Sequence, residues 1–185
     1  MFSQNRTPDT QIGEIKMLET KDLILDKAKF SDWEGMYLNV WSHPESARYM
    51  LWRVTTSESD AKVRIQKTIE YQKDHDTYIV YKKADGEPIG FAGVEQLAPA
   101  VYGETGICLG PAYVGKGFGK QILRALILYC KENFGATEFL YSTREKNEAS
   151  NRLAVSQGFT LISSEQKIDS RNEQPYNLLK YSLQL

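Results

Sequence analysis

Three glycines at alternate positions, in Gly115-Lys116-Gly117-Phe118-Gly119-Lys120, stand between a strand-like run that ends at Leu109 and a long apolar run that begins near Gln121. That order limits what the chain can build. The turn must tolerate positive φ angles, and the helix it feeds must lie against the sheet to which the strand belongs. With no side chains in the way, the amides at the helix entrance can converge on an anion such as a phosphate. Further along comes a second signature, Asn147-x-x-Ser150 followed by Gly158-Phe159.

The chain has 185 residues, 41% of them hydrophobic, which suffices for one domain with a sizeable core and leaves little for a second. One domain over 1–185 is expected, with 1–18 as a loose polar extension. Lys and Arg number 23 and Asp and Glu 24, so a net charge of -1 calls for neither nucleic acid nor an anionic membrane surface. Arg124 and Lys131 interrupt or bound the greasiest segment, and no apolar run reaches the roughly twenty residues of a spanning helix. The polar start, Gln4 to Asp9, lacks the apolar core of a secretory signal, and a cytoplasmic protein is expected. Cys108 and Cys130 are too sparse for a disulfide framework and read as buried thiols. His43 and His75 have no companions at metal-ligand spacing, so no metal is expected.

Leu23 to Leu25 reads as a short strand. Ser31-x-x-Glu34 is a capping-box pattern opening a helix to about Trp41, ended by Pro44, and Ser57-x-x-Asp60 opens another that finishes near His75. Tyr78–Lys82 and Ile89–Glu95 read as strands joined through Asp85-Gly86, the clearest hairpin turn in the chain. Beyond Pro99 and Gly103, Glu104–Leu109 reads as a strand and Phe118–Phe134 as a helix apolar on most faces. Glu138–Ser142 is the next strand, and Glu148–Gln157 a helix stopped by Gly158. Phe159–Ile168 and Tyr176–Leu183 close the chain as a pair of strands. The order predicts a mixed α/β (α+β) domain, about seven strands covered by helices.

Two rival readings of the glycine loop fail on its residues. Gly110 to Gly117 nearly spells a nucleotide-triphosphate loop, but Gly117 stands where a Ser or Thr hydroxyl should hold magnesium. The dinucleotide fingerprint needs G-x-G-x-x-G, and here the spacing is G-x-G-x-G.

Taken together, the run Glu104 to Lys120 and the run Asn147 to Phe159 resemble the GNAT superfamily of acetyl-CoA-dependent N-acetyltransferases. The branch of ribosomal-protein N-terminal (RimJ/RimL-like) acetyltransferases is the most similar, and His43 to Trp52 is also similar to it. The resemblance covers most of the chain after about residue 20. It implies a single mixed, mostly antiparallel sheet flanked by about four helices, with acetyl-CoA as the cofactor. It also implies that Val114, Gly115, Lys116, Gly117, Phe118, Gly119 and Lys120 hold the pyrophosphate, Val114 standing where Gln or Arg is common. The strand at Ile107, Cys108 and Leu109 would pair with the pantetheine arm, and Asn147 would bond its amides while capping a helix.

For the reaction, the resemblance points to Glu104 as the base that accepts the amine's proton, directly or through water. A solvated strand-end carboxylate is the alternative. Many relatives protonate the departing thiolate with a tyrosine where this chain has Ala154, so Ser150, one turn earlier, is the expected hydrogen-bond donor to the sulfur. Its alternative is a helical serine bonded to its own backbone. Tyr49 and Trp52 are expected to touch the acceptor, a small-molecule amine or a peptide N-terminus, and a homodimer stays open. A non-catalytic acyl-CoA sensor, favoured by Ala154, is the other reading.

Overall fold

Strand β3 (Thr77–Lys82) carries four consecutive buried residues, Tyr78, Ile79, Val80 and Tyr81, instead of an alternation. Both its faces must therefore be covered. The computed structural model describes residues 17–185 and shows how. Tyr78 and Val80 join the core beneath the long helix α4 (Phe118–Phe134), whereas Ile79 and Tyr81 join a second core beneath α1 (Trp33–Met36) and α3 (Glu58–Tyr71). Ile122, Leu123 and Leu126 of α4 are fully buried, each contributing ~1.5–3 kcal/mol of hydrophobic stabilisation. Leu128 and Phe134 are exposed, so α4 is more one-sided than its composition implies.

The other strands are β1 (Leu18–Glu19), β2 (Leu23–Asp26), β4 (Pro88–Ala98), β5 (Val101–Leu109), β6 (Glu138–Arg144), β7 (Thr160–Ile168) and β8 (Pro175–Gln184). They form one sheet in the order β1-β2-β3-β4-β5-β6-β8-β7, antiparallel except for β5 with β6. The sheet is mixed and mostly antiparallel, as expected, with eight strands in place of about seven. The additional strand, β1, is two residues long and carries no alternation to read. Among the described residues five α-helices stand in place of about four, the extra one being α2 (Pro44–Ala47); α5 (Glu148–Ser156) is the last. The expected N-terminal extension lies outside the described residues except for Met17 and Leu18, and Leu18 opens β1.

Several boundaries differ for identifiable reasons. The first helical segment starts at Phe30 rather than from a Ser31 cap, because the Asp32 carboxylate accepts from the Lys29 N–H (2.6 Å) and from the buried Tyr81 hydroxyl (2.6 Å). After α1 the chain continues in wider turns to Trp41, and Pro44 then begins α2 as its first residue, where its missing N–H costs nothing. Ser57 does cap α3, accepting from Asp60 N–H at 3.2 Å, but that helix ends at Tyr71. There the buried Gln72 turns aside to bind Ala28 N–H at 2.6 Å. Strand β5 begins before Gly103, at Val101, since the tight turn is made at Ala100 with φ 59.

One polar knot ties the far end of the sheet to the segment after α2. Asp169, 2% exposed at the end of β7, meets Arg144 at 2.8 Å and Arg171 at 2.7 Å. Arg171 also donates to the carbonyls of Ala47 (2.7 Å) and Trp52 (3.3 Å). Hydrogen bonds from the Arg171 side chain and backbone, then from Arg144, hold the Asp169 carboxyl well below the usual range. A depressed folded pKa adds stability above the ordinary value of about 3.9 and loses it as pH falls. Asp169→Asn should lower the melting temperature at pH 7, and the gap to wild type should narrow below about pH 4. A gap in melting scans that stays constant from pH 7 to 3 would show that the charge of Asp169 is not what holds the knot.

Candidate active site

Parallel pairing of β5 with β6 joins Val101–Gly103 to Glu138–Leu140 and stops there. Next to that point β5 carries an extra residue: Gly93 of β4 faces Gly106, Val94 faces Glu104, and Thr105 is left over. Such a bulge sharpens the local twist and bends the strand. Beyond it a cleft of about 650 Å³ lies between the two strands, with the Tyr49–Trp52 segment along one side and the start of α5 along another.

Glu104 sits at the root of this cleft. The residue as a whole is partly exposed, yet its carboxyl end is enclosed and reaches toward β6, where Oε1 accepts from the Ser142 N–H at 3.1 Å. Burial pushes its pKa up to about 8, against the backbone donors of Ser142 and Gly106 that favour the charged form. About a tenth of the carboxyl is ionised at pH 7 as a result. The solvated strand-end reading does not describe such a group.

Ser150 lies on the first turns of α5, set by Asn147, whose Oδ1 accepts from the Ser150 N–H at 3.3 Å. Its Oγ is 2.6 Å from the hydroxyl of Tyr141 on β6, and either oxygen can donate to the other. Burial first, and the charge of Glu104 second, raise the Tyr141 phenol above its ordinary pKa, so it keeps its proton. Sequence reasoning missed Tyr141. The period-two burial of Phe139, Tyr141 and Thr143 marks it only as an inward residue, and Phe159 packs beside it with ring centroids 5.9 Å apart. Ala154 is fully buried in the core under α4.

The glycine loop follows a short turn at Pro111–Tyr113. Val114 is exposed; Gly115 and Gly117 take φ of 74° and 79°, a left-handed conformation suited to glycine, with open space where a Cβ would project. The first bond at the start of α4 runs from the Gln121 N–H to the Gly117 carbonyl at 3.3 Å, so the amides of Phe118, Gly119 and Lys120 precede it, and Gly117 offers no side chain to cap them. Gly119 has a packing reason too, since a Cβ there would come 3.4 Å from Leu153 of α5. Lys116 and Lys120 are exposed, and Phe118 packs against the core. Past Gly103, β5 has a strand partner only on its β4 side. Ile107 and Leu109 lean on the core under α4, while the Cys108 side chain turns to the opposite core, its thiol donating to the Ser46 carbonyl at 3.6 Å.

Residues 22–160 match a family profile described as an acetyltransferase (GNAT) domain. The chain belongs to the GNAT acetyltransferase family. Solved structures share its fold over nearly the whole length. A GNAT-family acetyltransferase from Bacillus anthracis is 17% identical with a TM-score of 0.78, covering 91% of this chain and 98% of that one. RimL, a ribosomal L7/L12 alpha-N-protein acetyltransferase in complex with coenzyme A, is 20% identical with a TM-score of 0.76, over 92% and 98%. The microcin C7 self-immunity acetyltransferase MccE, in complex with acetyl-CoA and AMP, is 22% identical with a TM-score of 0.74, over 90% and 94%. At these identities the likeness establishes the fold alone. No curated protein matches the chain significantly.

Acetyl-CoA is the ligand bound in the MccE structure. The residues present fit it: two side-chain-free left-handed positions before uncapped helix amides suit a pyrophosphate, and the free edge of β5 suits an amide-bearing arm. Of the residues singled out from sequence, Glu104, Ile107, Asn147, Ser150, Tyr49 and Trp52 line one cleft together, and the loop 114–120 follows from the same strand. Cys108 offers only its main chain. Tyr49 also donates to the Lys146 carbonyl at 3.0 Å, bridging the cleft wall to the loop before α5. Among the described residues no group of three His, Cys, Asp or Glu side chains could hold a metal ion, and no helix is long and apolar enough to cross a membrane. Gly117→Val should weaken acetyl-CoA binding by about tenfold or more, ~1.4 kcal/mol, in a calorimetric titration, with the fold intact by circular dichroism. Unchanged affinity would take the loop out of the cofactor site.

Proposed function

We propose that the chain moves an acetyl group from acetyl-CoA to a primary amine, preferably an α-amine on a peptide end or small molecule, by direct attack in a ternary complex. The observation that carries this reading is an enclosed carboxyl group, its pKa pushed up by burial to about 8, in the same cleft as a paired serine and tyrosine. When bound, the cofactor supplies a thioester carbonyl open to a nucleophile.

Only an unprotonated amine attacks. Freeing a lysine-like amine of pKa about 10.4 at pH 7 costs ~4.6 kcal/mol, whereas an α-amine near 8 costs ~1. Glu104 leaves that difference unchanged and gives the proton a local acceptor. Passing a proton from an α-ammonium to a carboxylate of pKa about 8 is nearly free of cost, but from a lysine ammonium it runs ~3 kcal/mol uphill. As nitrogen bonds to the acetyl carbon, its proton passes to Glu104, directly or through water.

Ser150 then donates a hydrogen bond to the departing sulfur, positioned by Asn147 through its backbone and by Tyr141 through its hydroxyl. Neither hydroxyl is acidic enough to protonate a thiolate of pKa about 8.5 outright, so the pair stabilises the sulfur while solvent returns the proton. The sensor reading drew on Ala154, and a hydroxyl pair in the cleft removes its motive.

Glu104→Gln keeps an oxygen for the Ser142 and Gly106 amides while removing the base. It should lower kcat/KM for an α-amine by about 100-fold, a deficit that grows with pH up to about 8 and then levels. The raised carboxyl pKa also costs the wild-type fold stability between about pH 4.3 and 8, so the variant should melt higher than wild type at pH 8. Parallel pH–rate profiles for the two proteins would rule Glu104 out as the base. Tyr141→Phe should lower kcat about fivefold to tenfold with KM unchanged, as removal of a positioning hydrogen bond does; a change confined to KM would place Tyr141 in acceptor binding instead.

A further inference from the structure

Arg64 of α3 is held in an unusual setting. Its guanidinium carbon lies over two indoles, 4.6 Å from the ring centroid of Trp41 and 4.4 Å from that of Trp52. Contact of this kind leaves the edge, with its N–H donors, as the part that can still bind. One donor, Nη1, meets the Thr55 hydroxyl at 3.0 Å. Among the described residues no carboxylate stands within ion-pair distance of Arg64, whereas Arg144 and Arg171 each pair with Asp169. Burial lowers its pKa to about 10, opposed only by Cys108, a thiol itself pushed up to about 12 by burial and therefore neutral. A hydrocarbon side chain would fill the space over two indoles without the cost of an enclosed, unneutralised cation.

The cation borders a cavity of about 450 Å³, which Lys67 and Tyr71 of α3 also line. Trp52, Phe91, Thr105 and Gly106 line both this cavity and the Glu104 cleft, so the two spaces adjoin across the bulge of β5. Thr105 and Gly106 follow Glu104 directly in the chain. A ligand that places a nitrogen at Glu104 can therefore extend past Trp52 and Phe91 toward Arg64.

We propose that Arg64 is an anion-recognition residue for the acceptor: the amine that this protein acetylates carries a carboxylate or phosphate group, which Arg64 binds by its guanidinium edge. The inference rests on the reading of the Glu104 cleft as the place of acetyl transfer. It makes Arg64 specificity-determining, with the indole pair fixing the fork in orientation and the bare edge choosing the charge.

The test uses the full chain with coenzyme A present and reads tryptophan fluorescence, because Trp41 and Trp52 flank the cation. Matched α-amines that differ only in the anion are titrated: diglycine and triglycine against their C-terminal amides for the carboxylate, and phosphoserine amide against serine amide for the phosphate. The anionic member of at least one pair should bind about tenfold or more tightly, and the pair that shows it identifies the anion. Arg64→Gln should erase that preference, and Arg64→Lys, which keeps the charge without the planar fork, should retain part of it. Equal binding within every wild-type pair overturns the proposal whatever the variants do, as does a preference that survives Arg64→Gln. Thiol release, read in parallel mixtures in which acetyl-CoA replaces coenzyme A, reports separately. Release without anion preference defeats this inference alone, while cofactor binding with no release from any amine defeats the acetyl-transfer reading and leaves fluorescence to decide the anion site.

Discussion

Three residue pairs of parallel ladder, Val101–Gly103 against Glu138–Leu140, hold β5 to β6, and everything chemical in the protein follows from their ending there. Continued pairing would consume the edge of β5, fill the cleft and press Glu104 into a ladder. The bulge at Thr105 bends the strand, and the loss of pairing exposes main-chain donors and acceptors along the stretch that leads to the glycine loop. A sheet that is split at one seam, with its two cores intact on either face, can keep a rigid frame around an opening.

Two enclosed carboxyl groups in this frame have opposite fates for one reason, the company each keeps. Asp169 faces two guanidinium groups and stays charged well below its ordinary range. Glu104 accepts from main-chain amides, which do not offset the loss of water, and with the Glu95 carboxylate nearby it holds its proton to about pH 8. The first arrangement fastens the segment bearing Tyr49 and Trp52 to the sheet. The second leaves a carboxyl group whose affinity for a proton matches that of an amine terminus. Direct contact with a guanidinium is what keeps one of these enclosed acids charged where the other is protonated.

Much of this was legible in the residues. The glycine loop, α4, the Asp85-Gly86 hairpin and the Ser57 cap are set by local chemistry, so sequence placed them within a few residues. Glu104 and Ser150 could be named through their position relative to the glycine and Asn-Ser signatures. What escaped is tertiary. Tyr141 reads as one more alternating strand residue until α5 folds back over it, and Arg64 reads as a solvated helix cation until Trp41 and Trp52 close on it from elements before α3. The Ser31 pattern misled because Asp32, next to it, is claimed by Lys29 and by Tyr81 of a strand far along the chain.

The two cysteines have a practical bearing on how such a protein is studied. Cys108 and Cys130 are both free and buried on opposite faces of the sheet, each with burial pushing its thiol up to about 12. A thiolate is the species that reacts with disulfide dyes and alkylating agents, so at neutral pH neither residue competes for them while the fold is closed. Colour developed by such a reagent in a working mixture then counts cofactor molecules that have lost their acyl group, and a sudden extra two equivalents per chain would announce unfolding.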